Sequence, residues 1–163
     1  NKKIYYSIIN IIFTTYIFLF CLLFYFLSLN SHLEILLFII LVGCISSDIG
    51  GFVIGKIFKG PKLSKISPNK TISGAIGSII FTSTTLICLI YYYTENLFLG
   101  LIFIGLLISV ACQLGDLFFS FLKRKAKIKD TGSILPGHGG FLDRLDGIFL
   151  GVPVGFITFI IIF

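Results

Sequence analysis

The chain has 163 residues, of which 56% are hydrophobic and only 12% charged, with a mean hydropathy of +1.06 and a formal net charge of +6. That balance excludes a soluble globular protein and leaves room for a single lipid-embedded domain. It also excludes a nucleic-acid-binding role, because no soluble face remains to present the basic residues.

Five apolar segments, at roughly 4–29, 33–54, 74–93, 97–119 and 147–163, come close to the ~20 residues needed to cross a bilayer. They are apolar all round, which predicts helices in lipid. Open strands are excluded because unpaired backbone groups are costly in hydrocarbon. The expected fold is therefore all-α: a polytopic membrane helical bundle of about five transmembrane helices. One domain is expected over 1–163, with loops at about 55–73 and 120–146.

The first segment follows Lys2 and Lys3. It is too long for a signal-peptide core and has no small-residue cleavage site. The chain opens on Asn1 rather than Met, so an N-terminal portion is expected to be missing. The next connection, around Ser31–His32, has Glu34 beside it and no Lys or Arg. The second segment carries Gly43, Ser47, Gly51 and Gly55 four apart, a stripe that lets helix backbones approach closely, and beside it the carboxylate of Asp48. Lysines then cluster from Lys56 to Lys70.

The third segment ends at Thr94–Asn96, a turn that again lacks basic residues. Along the fourth, Gln113, Asp116 and Ser120 fall on one helix face. It leads into a second basic cluster, Lys123 to Lys129, and ten of the thirteen basic residues lie in these two clusters. In the last segment Gly147, Gly151 and Gly155 are four apart, and Pro153 is expected to kink the helix. The positive-inside rule places the N-terminus and both basic loops in the cytoplasm, with the C-terminus outside. Cys21, Cys44, Cys88 and Cys112 lie within apolar runs without C-x-x-C spacing, and read as small hydrophobes.

Chemistry concentrates at residues 120–146, where six basic residues, Asp130, Asp143, Asp146, His138 and four glycines separate two apolar segments. With Asp48 and Asp116, five of the seven acidic residues gather at the inner face. An ionisable residue at the bilayer centre costs roughly 2.5–3.5 kcal/mol on insertion scales, so each needs a cation, a partner or water. Asp143 and Asp146 share a face if helical. Clustered carboxylates beside a hydroxyl, with no Cys or His cluster, suit a hard cation such as Mg²⁺, which keeps waters and substrate phosphates in its shell. The lysines and Arg124 could hold further phosphate oxygens. The turn Pro136-Gly137-His138-Gly139-Gly140 could bring backbone N–H groups to a phosphate, although such a turn is most often only a turn. Neither a Walker A motif nor G-x-G-x-x-G is present.

Ser120-x-x-Lys123-Arg124, Lys129-Asp130, Pro136-Gly137-His138-Gly139-Gly140 and Asp143-Arg144-x-Asp146 closely resemble the signature of the phosphatidate cytidylyltransferase (CDP-diacylglycerol synthase) family. Asp48 with Gly55-Lys56, then Ser67-Pro68-Asn69-Lys70-Thr71 with Gly74, resemble that family's upstream polar loop, and Gly115-Asp116 its Gly-Asp pair. The similarity covers about residues 43–155. Lys56 stands where the family commonly has Arg, and Ile72-Ser73 where it commonly has Trp-Glu; the family also usually carries more N-terminal spans.

The resemblance implies the reaction CTP + phosphatidate → CDP-diacylglycerol + pyrophosphate, within phospholipid biosynthesis. The lipid phosphate would attack the α-phosphorus of CTP. It implies Mg²⁺ on Asp116, Asp143 and Asp146 with Ser120 assisting, and leaves room for a second, monovalent cation. Lys70, Lys123, Arg124, Lys129 and Arg144 would neutralise phosphates. Asp48, Ser67, Pro68, Thr71, Asp130, His138, Gly139 and Gly140 would complete substrate binding. The expected setting is a bacterial inner membrane with the site on the cytoplasmic side, with membrane lipids around it and a homodimer allowed. Two rivals stay open: a CTP-dependent lipid kinase of the dolichol-kinase type, and a membrane transporter. A transporter would place its polar residues near the midplane rather than the inner boundary, and the two halves show no inverted repeat.

Overall fold

A computed structural model describes residues 2–64, 67, 70–128, 130–132, 140 and 142–163, without the side chains of residues 2–6, 8 and 9. The chain is all-α, in the order α1 (Lys2–Ser28), α2 (Ser31–Phe58), α3 (Ile72–Thr94), α4 (Gly100–Lys125), α5 (Leu142–Leu145) and α6 (Ile148–Ile162). Among the described residues, five segments are long and apolar enough to cross a membrane: Asn10–Ser28, Ser31–Phe58, Ile72–Thr94, Gly100–Lys125 and Leu142–Ile162. Phe52, Ile57 and Leu99 stand largely bare, as expected of an integral membrane protein whose apolar surface meets lipid rather than water.

The chain divides into two compact units, Asn1–Leu37 and Phe38–Phe163. The first holds α1 and the opening turns of α2. At the end of α1 the Ser28 hydroxyl donates to the Tyr25 carbonyl at 2.8 Å. Asn30 Oδ1 accepts from the His32 N–H at 3.0 Å, satisfying one of the donors that a helix start leaves orphaned. Glu34 sits in that first turn, where the helix dipole favours a negative charge.

In the second unit α3 and α6 both pack on α4. Its core is lined by Ile40, Leu86, Leu101, Ile104, Ile108 and Val152, all fully buried. Polar groups inside it are paired: Ser46 meets Thr85 at 2.7 Å, Ser47 meets Ser109 at 3.2 Å, and the Thr82 hydroxyl donates to the Ser78 carbonyl at 2.8 Å. No described buried side-chain polar atom lacks a partner. Hydrocarbon offers no alternative partner, so this pairing is what lets serine and threonine sit between spans.

Two glycine contacts decide where the polar groups fall. A Cβ added at Gly74 would stand 2.7 Å from the Gly51 carbonyl oxygen, and one added at Gly115 would stand 2.6 Å from the Asp146 carbonyl oxygen. The first contact lets the start of α3 lie against α2 beside Asp48. The second lets α4 lie against the α5–α6 junction. The stripes read from the sequence as packing surfaces thus pack, and in doing so bring acidic residues together.

Helix ends differ from the sequence reading by several residues. The fourth helix continues past residue 119 to Lys125, so Ser120, Lys123 and Arg124 ride on its last two turns rather than in a loop. Cations are favoured there by the carbonyl-rich helix end. The expected loop at 55–73 shortens to residues 59–71, and the last span gains α5 at its start.

Candidate active site

The site is built at the ends of α2, α3, α4 and the α5–α6 junction, all within the second unit. The connection from α2 to α3 is a narrow hairpin. Its Lys62 and Thr71 form an antiparallel bridge. The Leu63 N–H donates to the Lys70 carbonyl at 2.8 Å, and the Ile72 N–H to the Pro61 carbonyl at 2.9 Å. Thr71 then caps α3: its backbone is extended and its hydroxyl accepts from the Gly74 N–H at 3.1 Å. Ser73 Oγ accepts from the Gly60 N–H at 3.2 Å and lies 3.1 Å from the Thr71 hydroxyl. Where the resemblance leads one to expect a carboxylate, this chain has a hydroxyl that closes the base of the hairpin.

Lys70 is thereby fixed at the mouth of α3, where its ammonium pairs with the carboxylate of Asp116 on α4. The pair lines a cavity of about 320 Å³, together with Asp48, Ser67, Thr71 and Gln113. Asp48 is exposed on its wall. The Gln113 amide donates to the Ala75 carbonyl at 3.3 Å and to Ser109 Oγ at 3.1 Å. Ser109 in turn meets Ser47, so a polar chain behind the cavity wall links α2, α4 and α3.

A second cluster lies against the first. Lys123 Nζ is 2.8 Å from Asp143 Oδ1 and 3.8 Å from Asp146 Oδ2. The other Asp143 oxygen accepts three bonds: from the Thr131 N–H at 2.8 Å, the Thr131 hydroxyl at 3.0 Å and the Gly140 N–H at 2.8 Å. Asp143 therefore ties together α4, the segment after it and α5. Asp146 Oδ1 accepts from the Gly147 N–H at 3.0 Å.

Asp116 joins the two clusters. One of its oxygens faces Lys70, and the other lies beside Gly147, where an added Cβ would be 3.4 Å from Oδ1. The Asp116 and Asp146 side chains are neighbours. Two adjacent carboxylates at the edge of an apolar bundle form an oxygen-donor pair, which fits a hard divalent cation with the rest of its shell supplied by water and substrate. Among the described residues no three His, Cys, Asp or Glu side chains gather as ligands, and both oxygens of Asp143 are already engaged by Lys123, Thr131 and Gly140.

Of the residues singled out in the sequence, Asp48, Ser67, Lys70, Thr71 and Asp116 share the cavity. Lys123, Gly140, Asp143 and Asp146 share the second cluster. Ser120 is half-buried one turn beyond Asp116, while Arg124, Asp130 and Arg144 are exposed. Pro68, Lys129, His138 and Gly139 lie outside the described residues. Two contributors escaped the sequence reading: Thr131, a loop threonine with nothing in its spacing to set it apart, and Ser109, whose signal was a hydroxyl one turn before Gln113 in an apolar run.

The Cytidylyltransferase family profile matches residues 1–162. A phosphatidate cytidylyltransferase of Rickettsia typhi is 42% identical over 135 residues, which cover 78% of this chain and 58% of that protein. The corresponding protein of Helicobacter pylori is 40% identical over 112 residues (69% of this chain, 42% of its own length). That of Mycobacterium leprae is 38% identical over 113 residues (68% and 36%). The chain thus spans about half the length of the curated relatives it matches.

Proposed function

Because the chain belongs to the cytidylyltransferase family, we propose that it catalyses CTP + phosphatidate → CDP-diacylglycerol + pyrophosphate, a step of phospholipid synthesis, at the cytoplasmic face of a bacterial inner membrane. The observation that carries this reading is the convergence of Lys70, Asp116, Lys123, Asp143 and Asp146 at one end of the bundle. The relatives' name supplies the reaction class.

Two polyanions must meet for this reaction, so the residues around them must offset several phosphate charges without using them up in the ground state. Lys70 rests on Asp116, and Lys123 rests on Asp143 and Asp146. Incoming phosphates exchange those lysines from carboxylate to phosphate, with the exposed Arg124 and Arg144 adding charge. The lipid phosphate is itself the nucleophile, so no covalent enzyme intermediate is needed. Asp116 and Asp146 would hold Mg²⁺, with Ser120 one turn away; when bound, the ion supplies the neutralisation of the triphosphate that makes pyrophosphate a good leaving group. Asp143 holds the Thr131 and Gly140 backbone beside Lys123 by accepting both of their N–H groups. Asp48, Ser67 and Thr71 line the cavity beside this centre and take part in binding.

The test is radiolabelled product analysis on the full-length protein in detergent, with CTP, phosphatidate and Mg²⁺. Pyrophosphate with CDP-lipid is the expected pair. Recovery of CDP with a newly phosphorylated lipid alcohol would replace the reading with a lipid kinase.

A further inference from the structure

Gly151 of α6 faces two thiols. A Cβ built on it would stand 2.5 Å from Cys112 Sγ of α4 and 2.7 Å from Cys44 Sγ of α2. Both sulfurs therefore converge on the space left by the missing side chain. Both cysteines are free and 1% exposed, whereas Cys21 and Cys88 are free and exposed. One turn further along α6, the position of a Gly155 Cβ meets Ile40 and Ile108, while one turn back a Gly147 Cβ would lie 3.6 Å from Cys112 Cβ and 3.4 Å from Asp116 Oδ1, so the thiols have apolar packing on one side and the acidic cluster on the other.

Neither the proposed reaction nor the family match uses this pair. Three helices are brought close enough at one point to present two soft donors and no third: among the described residues no set of three His, Cys, Asp or Glu side chains surrounds them. That excludes a tetrahedral zinc centre and any hard cation that needs oxygen ligands. Two thiolates suit a soft d¹⁰ cation that accepts two-coordinate, linear geometry. Charge narrows the class further. A monovalent ion on two thiolates leaves a net −1 in hydrocarbon, which is costly, whereas a divalent ion gives a neutral unit.

We propose that Cys44 and Cys112 form a two-coordinate thiolate site for a thiophilic divalent cation of the mercuric type. Binding follows Hg²⁺ + 2 R–SH → R–S–Hg–S–R + 2 H⁺. Two S–H bonds are lost, two S–Hg bonds form, both protons leave to solvent and no atom changes oxidation state. Entry requires the helices to part transiently, because both thiols are closed off, so uptake is slow compared with reaction at Cys21 or Cys88.

The experiment titrates Hg²⁺ into the full chain in detergent, in a Cys21→Ser/Cys88→Ser background. The readouts are the sulfur-to-mercury charge-transfer absorption, protons released, and metal retained against an excess of a monothiol. The expected result is slow saturation at one ion per chain with two protons released per ion. Retention should fall about tenfold or more on Cys44→Ala or Cys112→Ala. Cys112→Ser, nearly the same shape, should lose retention equally while keeping its thermal midpoint. Saturation at two ions per chain, one proton per ion, or undiminished retention in the single variants would overturn the proposal. None of these readouts involves turnover, so they stand or fall apart from the proposed reaction.

Discussion

Lys123, on the last turn of α4, reaches Asp143 on α5 at 2.8 Å, joining residues 20 apart in sequence whose side chains are 15% and 9% exposed. The same ammonium lies 3.8 Å from Asp146. One lysine thus spans both carboxylates of the Asp143-Arg144-x-Asp146 motif, and the two carboxylates have different surroundings.

That difference separates two substitutions that look alike in sequence. Asp146→Asn removes half of the Asp116–Asp146 donor pair, and should raise the Mg²⁺ concentration for half-maximal CDP-lipid formation by about tenfold or more. Asp143→Asn loosens the Thr131 and Gly140 contacts, and should lower the maximal rate by about 100-fold with the Mg²⁺ requirement little changed. Mg²⁺ titrations of the two variants check this; full activity in both would remove the acidic pair from the mechanism.

Thr131 offers a finer probe, since its N–H and its hydroxyl both donate to Asp143 Oδ2. Thr131→Val keeps the first donor and deletes the second. One exposed hydrogen bond contributes about 1 kcal/mol, so the rate should fall by only about fivefold. Steady-state kinetics decides; a loss as large as that of Asp143→Asn would mean that the hydroxyl itself touches substrate.

Gly115 tests the packing that sets the site. A methyl group there would meet the Asp146 carbonyl oxygen at 2.6 Å, a backbone atom that cannot rotate away. Gly115→Ala should therefore push α6 off α4, cost about 1–3 kcal/mol, and reduce activity more than its stability loss accounts for. Thermal unfolding in detergent and turnover, measured on the same preparation, separate the two effects.

Lys70→Met leaves Asp116 without the ammonium that faces it. A second change, Asp116→Asn, removes the stranded charge. Thermal stability should drop in the single Lys70→Met variant and recover partly in the double variant, with a coupling of about 1 kcal/mol for this partly exposed pair. Activity should not recover, because both groups face the cavity. Purely additive stability losses would show that the pair is not coupled.

The sequence made the five spans legible because their apolar runs match the thickness of a bilayer, and long periodic segments are the surest elements to read. The shared face of Gln113, Asp116 and Ser120 was legible too, since i, i+3 and i+4 spacing is local. The Lys70–Asp116 pair was not: its partners lie 46 residues apart and meet through the packing of α3 on α4, where a Cβ added at Gly105 would stand 2.6 Å from Ser83 Cα. Nor did the lysines announce that they would rest on carboxylates, as spacing counts charges without saying which ones touch. The end of α4 differs from the expected 119 because a span read by bilayer thickness stops before the polar turns that continue the same helix. A cationic last turn instead extends it to Lys125.

Because Lys70 and Lys123 are already matched with aspartates, neither offers a free ammonium to anions at large. An ion such as orthophosphate must pull Lys70 or Lys123 away from a carboxylate and leave that carboxylate stranded beside hydrocarbon. Under the proposed reaction, a nucleoside triphosphate arriving with its cation would replace both partners at once. On that reading, selection by number of charges, before any contact with the base or the acyl chains, would rest in these ion pairs.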